Sequence, residues 1–151
     1  INFLPIWHHF LSFEINRSRE AIQMIGSANG YLVFQVICWH HILILMSSSD
    51  LDFKGSFRKE VVDLWIKYGK DGFNTNTVLT YSLIGQLTGL SIETVRRQVK
   101  KLINDEWVSY SKKHGVKLKP SDENNKFLAD TFNIREVNNL GHLLDLIEKR
   151  K

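Results

Sequence analysis

The segment that decides the fold runs from residue 79 to residue 118 and has the sequence LTYSLIGQLTGLSIETVRRQVKKLINDEWVSYSKKHGVKL. Thr80 can cap a first short helix, and Gly89 can adopt the positive φ of a tight turn after it. Ser91 can cap a second helix, behind which apolar residues recur at helical spacing. These apolar residues are Ile92, Val95, Val99, Leu102 and Ile103. The segment therefore predicts two helices joined by a turn, with the second helix over residues 92–104.

Two short stretches with the alternation of β-strands follow the second helix. Residues 107–110 and 116–119 are separated by the sequence SKKHG at 111–115, which predicts a β-hairpin with a basic tip. Pro120 cannot donate to a β-ladder, so we expect it to close the second strand. The side chains that we expect at the tip are Lys112, Lys113 and His114.

The positive charge of the chain is concentrated in the same region. The whole chain has 20 Lys and Arg against 16 Asp and Glu, a net charge of +4. Residues 76–120 contain eight basic and three acidic residues, whereas the rest of the chain contains 12 basic and 13 acidic ones. A localised basic region is typical of proteins that bind a polyanion, although a solvated charged face without a partner would show the same composition.

A helical projection of residues 92–104 places several polar side chains opposite the apolar centre. Arginine there can bond guanine and glutamate can accept from cytosine in the DNA major groove, while basic side chains on the flanks can reach phosphates. An ordinary amphipathic surface helix is the alternative, but it would carry more balanced charges. The residues that we expect to contact DNA, including those of the hairpin, are Ser91, Glu93, Thr94, Arg96, Arg97, Lys100, Lys101, Lys112, Lys113 and His114.

These features together resemble a known family. The Thr-Gly-Leu-Ser turn at 88–91, followed by Glu-Thr-Val and Arg, resembles the winged helix-turn-helix of bacterial transcriptional regulators of the catabolite-activator or multiple-antibiotic-resistance type. The resemblance covers about 40 of the 151 residues and implies base-reading side chains at Ile92, Glu93 and Arg97. Two positions depart from the family pattern, because Ile92 replaces a residue that is often basic and Gly85 replaces a small alanine.

The N-terminal flank has the pattern of packed helices. Apolar residues at helical spacing predict a short helix over residues 3–13, with Pro5 in its first turn, and a second helix around residues 21–25. We expect Gly26, Asn29 and Gly30 to break this pattern. The very apolar run at 31–46 is shorter than the roughly 20 residues that a membrane span needs and contains polar residues, so we interpret it as a buried helix.

Three further segments are assigned from their patterns. Residues 57–68 have one apolar face and predict a helix, and residues 121–125 are polar and predict a loop. A last helix is expected over residues 133–149, with Asn133 and Glu136 spaced as a capping box and Gly141 marking a close helix crossing. Its apolar stripe consists of Ile134, Val137, Leu140, Leu144 and Ile147.

Motifs for catalysis or metal binding are not found in the sequence. Cys38 is the single cysteine and has no metal-ligand or redox spacing around it. The adjacent pairs His8–His9 and His40–His41 lack a carboxylate or thiol at helical spacing, so a metal site is not indicated. The sequence contains no P-loop, dinucleotide fingerprint or nucleophile elbow. We therefore expect neither an enzyme nor a cofactor.

The sequence as a whole predicts a mainly α fold with a small β-hairpin wing. We expect an N-terminal helical region at 1–75 for packing and dimerisation, a winged helix-turn-helix DNA-binding domain at 76–120, and a C-terminal helical extension at 121–151. The expected function is transcriptional regulation in the bacterial cytoplasm, carried out by a homodimer bound to double-stranded DNA. A small-molecule effector is a possible further partner, and we expect no membrane partner. The alternative is a winged-helix module that binds another protein in a larger assembly without binding DNA.

Overall fold

The computed structural model describes residues 3–47 and 78–149, and it is mainly helical with one small antiparallel hairpin. The helix predicted at 57–68 lies outside the described residues. The elements in chain order are α1 (Phe3–Ile25), α2 (Ala28–Ser47), α3 (Tyr81–Thr88), α4 (Ile92–Asn104), β1 (Val108–Ser111), β2 (Gly115–Leu118), α5 (Asp122–Phe127), a π-helical segment (Leu128–Phe132) and α6 (Asn133–Glu148).

The chain divides into two compact units. The first combines Ile1–Tyr31 with Pro120–Lys151, and the second is Leu32–Lys119. The two ends of the sequence therefore belong to the same unit, and the segment that decided the fold lies wholly in the other.

Helix α1 is longer than the sequence predicted. It continues from Phe3 to Ile25, so the expected end of a short helix near residue 13 is wrong. Residues 14–20 contain no glycine or proline to interrupt the helix, and within them Ser18 Oγ donates to Glu14 Oε1 at 3.1 Å. Pro5 lies in the first turn, where its missing N–H breaks no helical hydrogen bond.

The break between α1 and α2 is confined to two residues. Gly26 has a φ of 104°, in the left-handed region that favours glycine. Ser27 then accepts the backbone N–H of Gly30 on its Oγ at 3.0 Å, so it supports the first turn of α2. The expected breaks at Asn29 and Gly30 are therefore wrong, because both residues lie inside α2.

A partly buried ion pair links α1 to α6. Arg17 Nε donates to Glu136 Oε2 at 2.6 Å, and Arg17 also donates to the Tyr31 hydroxyl while its guanidinium lies 5.7 Å from the centre of the Tyr31 ring. Burial lowers the pKa of Arg17, but its hydrogen bond and attraction to Glu136 raise it by more. The guanidinium is therefore held charged between residues 119 positions apart in the sequence.

The segment before α6 is helical, which corrects two predictions. The predicted polar loop at 121–125 includes most of α5, whose first turn is capped by the Ser121 side chain accepting the N–H of Asn124 at 3.2 Å. The π-helical segment leads directly into α6, so Phe132 is already helical and Asn133 is not a cap. Because a capping box needs a helix start, Glu136 is available to bind Arg17 instead.

The apolar stripe of α6 faces outward in the described chain. Leu143 is the buried residue of this helix, whereas four members of the predicted stripe are 45% to 68% exposed. A Cβ atom on Gly141 would have nothing within 4 Å, so the expected close helix crossing at this glycine is wrong for the described residues. The exposed side chains are Ile134, Val137, Leu140 and Leu144.

The core of the second unit is formed by α2, α3, α4 and the hairpin. The residues with the least exposed area there are Val33, Ile37, Leu79, Ile84, Val95, Val99, Leu102 and Val116. Phe34 of α2 meets Trp107, just before β1, edge to face with ring centroids 5.3 Å apart. The apolar run at 31–46 is thus helical, as predicted, and its residues Val33, Phe34 and Ile37 are buried. Within residues 3–47 and 78–149 no single helix is long and apolar enough to cross a membrane, and only α1 and α2 counted as one broken span pass that test.

We predict that two glycines with similar backbone angles differ sharply in their tolerance of alanine. Gly115 has a φ of 70°, and a Cβ there would lie 2.6 Å from Leu79 O and from Val78 Cγ1. Gly89 has a φ of 79°, but a Cβ there would meet nothing within 4 Å. Gly89→Ala should therefore lower the free energy of unfolding by about 1 kcal/mol, the cost of the left-handed conformation. Gly115→Ala should lower it by at least about 3 kcal/mol, because the collision of the new Cβ with Leu79 and Val78 adds to that cost.

Chemical denaturation followed by circular dichroism measures both variants against the parent chain. Equal losses of unfolding free energy would show that the backbone of Leu79 does not lie against Gly115.

Candidate nucleic-acid interface

The first helix of the pair is capped at both ends by the residues that the sequence indicated. Thr80 Oγ1 accepts the N–H of Leu83 at 3.1 Å. At the other end, Gly89 in the left-handed conformation donates its N–H to Gly85 O at 2.8 Å. Thr88 Oγ1 donates to Ile84 O at 2.7 Å and accepts the N–H of Leu90 at 3.2 Å, so the turn is closed by short-range hydrogen bonds.

The turn passes very close to α3 at Gly85. A Cβ atom at this position would lie 2.9 Å from Leu90 O, and that oxygen is backbone and cannot rotate away. The ideal Cβ would also lie 4.0 Å from the side chains of Ile92 and Val95. A side chain at residue 85 would therefore collide with the turn, so this position requires glycine.

The second helix begins at Ser91, as predicted. Its Oγ accepts the N–H of Thr94 at 3.1 Å and lies 2.9 Å from Thr94 Oγ1 in a hydroxyl–hydroxyl hydrogen bond. Both residues were predicted to contact DNA, and both hydroxyl groups are used here to cap α4. Their first role is therefore to fix the start of the helix, which sets the direction of the side chains that follow.

The rotation of α4 is fixed by three buried residues. Val95, Val99 and Leu102 are at most 1% exposed and point into the core. Ile92 and Ile103 were expected on the same buried face, but they are 49% and 37% exposed, so that part of the prediction is wrong. They lie at the two ends of α4, where the helix extends beyond the three central core residues.

The basic residues of this region all face solvent. Arg96, Arg97, Lys100 and Lys101 are exposed on α4, as are the predicted hairpin residues Lys112, Lys113 and His114. Lys117 and Lys119 are exposed as well. The structure thus leaves every positively charged side chain of the predicted site accessible to a partner.

One acidic residue, Glu93, neutralises part of this surface. Its Oε2 accepts a hydrogen bond from an Arg96 terminal nitrogen at 3.0 Å, one turn further along α4. Both side chains are exposed, and exposed pairs of this kind contribute at most about 1 kcal/mol. The pair can therefore open at low cost when either group finds another partner.

The hairpin is present with the predicted order and length. Its register pairs Val108 with Leu118 and Ser111 with Gly115, so each strand is shifted by one residue from the prediction. The tip is closed by the N–H of His114 donating to Ser111 Oγ at 3.0 Å. The second strand is attached to the residue before Thr80, because the N–H of Val116 donates to Leu79 O at 2.9 Å.

Two tyrosines that the sequence pattern did not indicate are stacked on each other next to α4. Tyr81 opens α3 and Tyr110 lies on β1, and their rings stack with centroids 4.6 Å apart and planes 19° apart. Partial burial and, secondly, the Tyr110 phenol raise the pKa of Tyr81, whereas Arg96 lowers it. The two residues are far apart in the sequence, and no local pattern indicates that they meet.

The positions of potential metal ligands are known for the described residues. Within residues 3–47 and 78–149 no three His, Cys, Asp or Glu side chains could hold a metal ion together. His8 and His9 are neighbours with ring centroids 5.3 Å apart and planes tilted by 59°. In the first unit, a groove of about 560 Å³ between α1 and α6 is lined by residues that include His9, Arg19 and His142.

Comparison with known proteins gives no further guide to the role of these residues. The chain matches no family model, no curated protein and no solved structure. A functional assignment therefore depends on the side chains around α4 and the hairpin.

We predict that Tyr81 makes stability depend on pH in the alkaline range. A tyrosine in an unfolded chain has a pKa near 10, and the pKa of Tyr81 is raised in the folded protein. Below pH 10 the phenol is protonated in both states, and above it the unfolded chain loses its proton first. The contribution of Tyr81 to stability is thus full below pH 10 and is lost as the pH rises through its raised pKa.

Urea denaturation at pH 9 and pH 11 measures this effect in the parent chain and in Tyr81→Phe. The variant should lose less stability than the parent over this interval, and an identical loss in both proteins would contradict the prediction.

Proposed function

We propose that this chain is a sequence-specific DNA-binding transcriptional regulator with a winged helix-turn-helix domain. In this assignment α3 and α4 are the helix pair, α4 is the recognition helix, and the hairpin is the wing. The observation that carries the proposal is the orientation of α4, which has three core residues on one side and four exposed basic residues on the other. An α-helix of this kind fits the DNA major groove.

Each exposed residue of α4 has a role in the proposed complex. Arg97 bonds a guanine and Glu93 accepts from a cytosine amino group, while Thr94 and Lys101 support them. Ile92, at the start of the helix, is half exposed and offers an apolar contact to a thymine methyl group. Base recognition would therefore be concentrated in the N-terminal half of α4.

Contacts to the DNA backbone surround this reading face. Arg96 and Lys100 lie on the flank of α4, where long side chains reach phosphates. Lys112, Lys113 and His114 at the hairpin tip would contact phosphates or the adjacent minor groove. Because these contacts neutralise phosphates, they supply affinity that depends on salt and little on sequence.

We further propose that the regulator is a homodimer joined through its first unit. The exposed stripe of α6 is an apolar surface, and α1 has a second one that includes Leu4, Leu11 and Ile15, each at least 41% exposed. A second copy would cover these surfaces, and a dimer that reads a palindromic site needs two recognition helices about 34 Å apart. The groove beside α6 gives a small-molecule effector a place in the same unit. The resemblance to bacterial regulators favours the bacterial cytoplasm as the compartment.

We predict that binding to duplex DNA depends on salt and on Arg97 and Lys101. Arg97→Ala should weaken binding to a selected site by about 1–3 kcal/mol and relax sequence preference. Lys101→Ala should weaken binding at low salt, and the slope of log affinity against log salt should fall by about one if it neutralises a phosphate. Arg135→Ala is the matched control, since this exposed arginine lies on α6 in the other unit.

Selection of bound fragments from random duplex DNA, followed by fluorescence anisotropy at several salt concentrations, provides the measurement. If affinity were the same at all salt concentrations, or if the Arg97 and Lys101 variants bound like the control, the DNA-binding proposal would be wrong. In that case the alternative, a module that binds another protein, would be the better assignment.

We predict that Val137→Asp converts the dimer to a monomer. Val137 is 68% exposed in the stripe of α6, and a carboxylate there would be buried without a partner in a dimer interface. Asn138→Asp introduces the same charge at the next, already polar position and should leave the dimer intact. Sedimentation equilibrium at micromolar concentration distinguishes the two, and a monomeric parent chain would contradict the proposal.

A further inference from the structure

Three neighbouring elements, α3, α4 and β1, each carry a side chain that can donate a hydrogen bond. Tyr81 is the first residue of α3, Tyr110 lies on β1, and Arg96 lies on the flank of α4. The two rings stack at 4.6 Å between centroids, and Tyr110 is 42% exposed. Helix α4 packs against both α3 and β1, and Arg96 also lowers the pKa of Tyr81.

The chemistry of this group suits a phosphate oxygen. A phenol is a neutral donor, a guanidinium is a charged donor, and phosphate oxygens are strong acceptors that accept from both. A tyrosine is protonated at neutral pH, and the pKa of Tyr81 is raised further, so its hydroxyl group has a proton to donate. The present partner of Arg96 is the exposed carboxylate of Glu93, which a phosphate can replace at low cost.

We propose that Tyr81, Tyr110 and Arg96 form a binding site for one phosphate of the DNA backbone. The inference rests on the proposed function and adds two residues that neither the charge pattern nor the resemblance indicated. Stacking orients the two rings, and it joins the start of α3 to the first strand of the hairpin. The site would therefore bind DNA only when the helix pair and the hairpin are in their folded arrangement.

A purely structural role for the stack makes a different prediction. If the rings only hold β1 against α3, removal of the two hydroxyl groups leaves DNA binding unchanged, because phenylalanine stacks in the same way. If the hydroxyl groups donate to a phosphate, their removal weakens binding. It does so without changing the salt dependence, since a neutral donor displaces no counterion.

The experiment compares three proteins on the same duplex DNA at several salt concentrations by fluorescence anisotropy. They are the full parent chain, the double variant Tyr81→Phe with Tyr110→Phe, and Arg96→Ala. The double variant should bind about tenfold more weakly at every salt concentration, with an unchanged slope. Arg96→Ala should reduce the slope by about one. Thermal denaturation of each variant establishes that it is folded.

The results separate the phosphate site from DNA binding itself. If the parent chain binds DNA with salt dependence and the folded double variant binds equally well, the phosphate site is wrong while the regulator assignment stands. A changed slope in the double variant would also overturn the donor role, because it would show that the rings act by positioning charged residues. If the parent chain shows no salt-dependent binding, the proposed function fails and the phosphate site fails with it.

Discussion

The burial of Val95, Val99 and Leu102 is the constraint on which the second unit depends. These side chains hold one face of α4 against the core, so the rotation of the helix about its axis is set by apolar packing. Four basic side chains then project into solvent, and one of them, Arg96, is paired there with Glu93. The caps at Thr80 and Ser91 complete this arrangement by fixing where each helix begins.

Much of the second unit was predictable because its signals are local. A cap, a left-handed glycine and a hairpin each depend on residues within a few positions of one another, and Thr80, Gly89, Ser91 and the hairpin at 108–118 are present as expected. Even there the prediction was less accurate at the edges of elements. Ile92 and Ile103 have the correct periodicity, but periodicity does not reveal how far a core extends along a helix.

The features that the sequence did not reveal depend on contacts between distant residues. Arg17 and Glu136 are 119 positions apart, so a glutamate that fits a capping box was assigned a local role that it does not have. The same limit applies to Tyr81 and Tyr110, which belong to different elements. The stripe of α6 was found from its spacing, but spacing does not state whether an apolar face meets this chain or another one.

In the proposed DNA complex, the ion pair between Arg96 and Glu93 would affect discrimination between DNA sequences. The two side chains are paired with each other in the free chain, so in the proposed complex the pair has to open before either of them contacts DNA with all of its polar atoms. In the proposed complex, a phosphate that takes Arg96 releases Glu93 to test the base beside it, and the two contacts are thermodynamically coupled. On a sequence without a cytosine at that position, the released carboxylate would face the DNA without a donor. Opening the pair to bind the phosphate would thereby lower the affinity for DNA sequences that lack this cytosine.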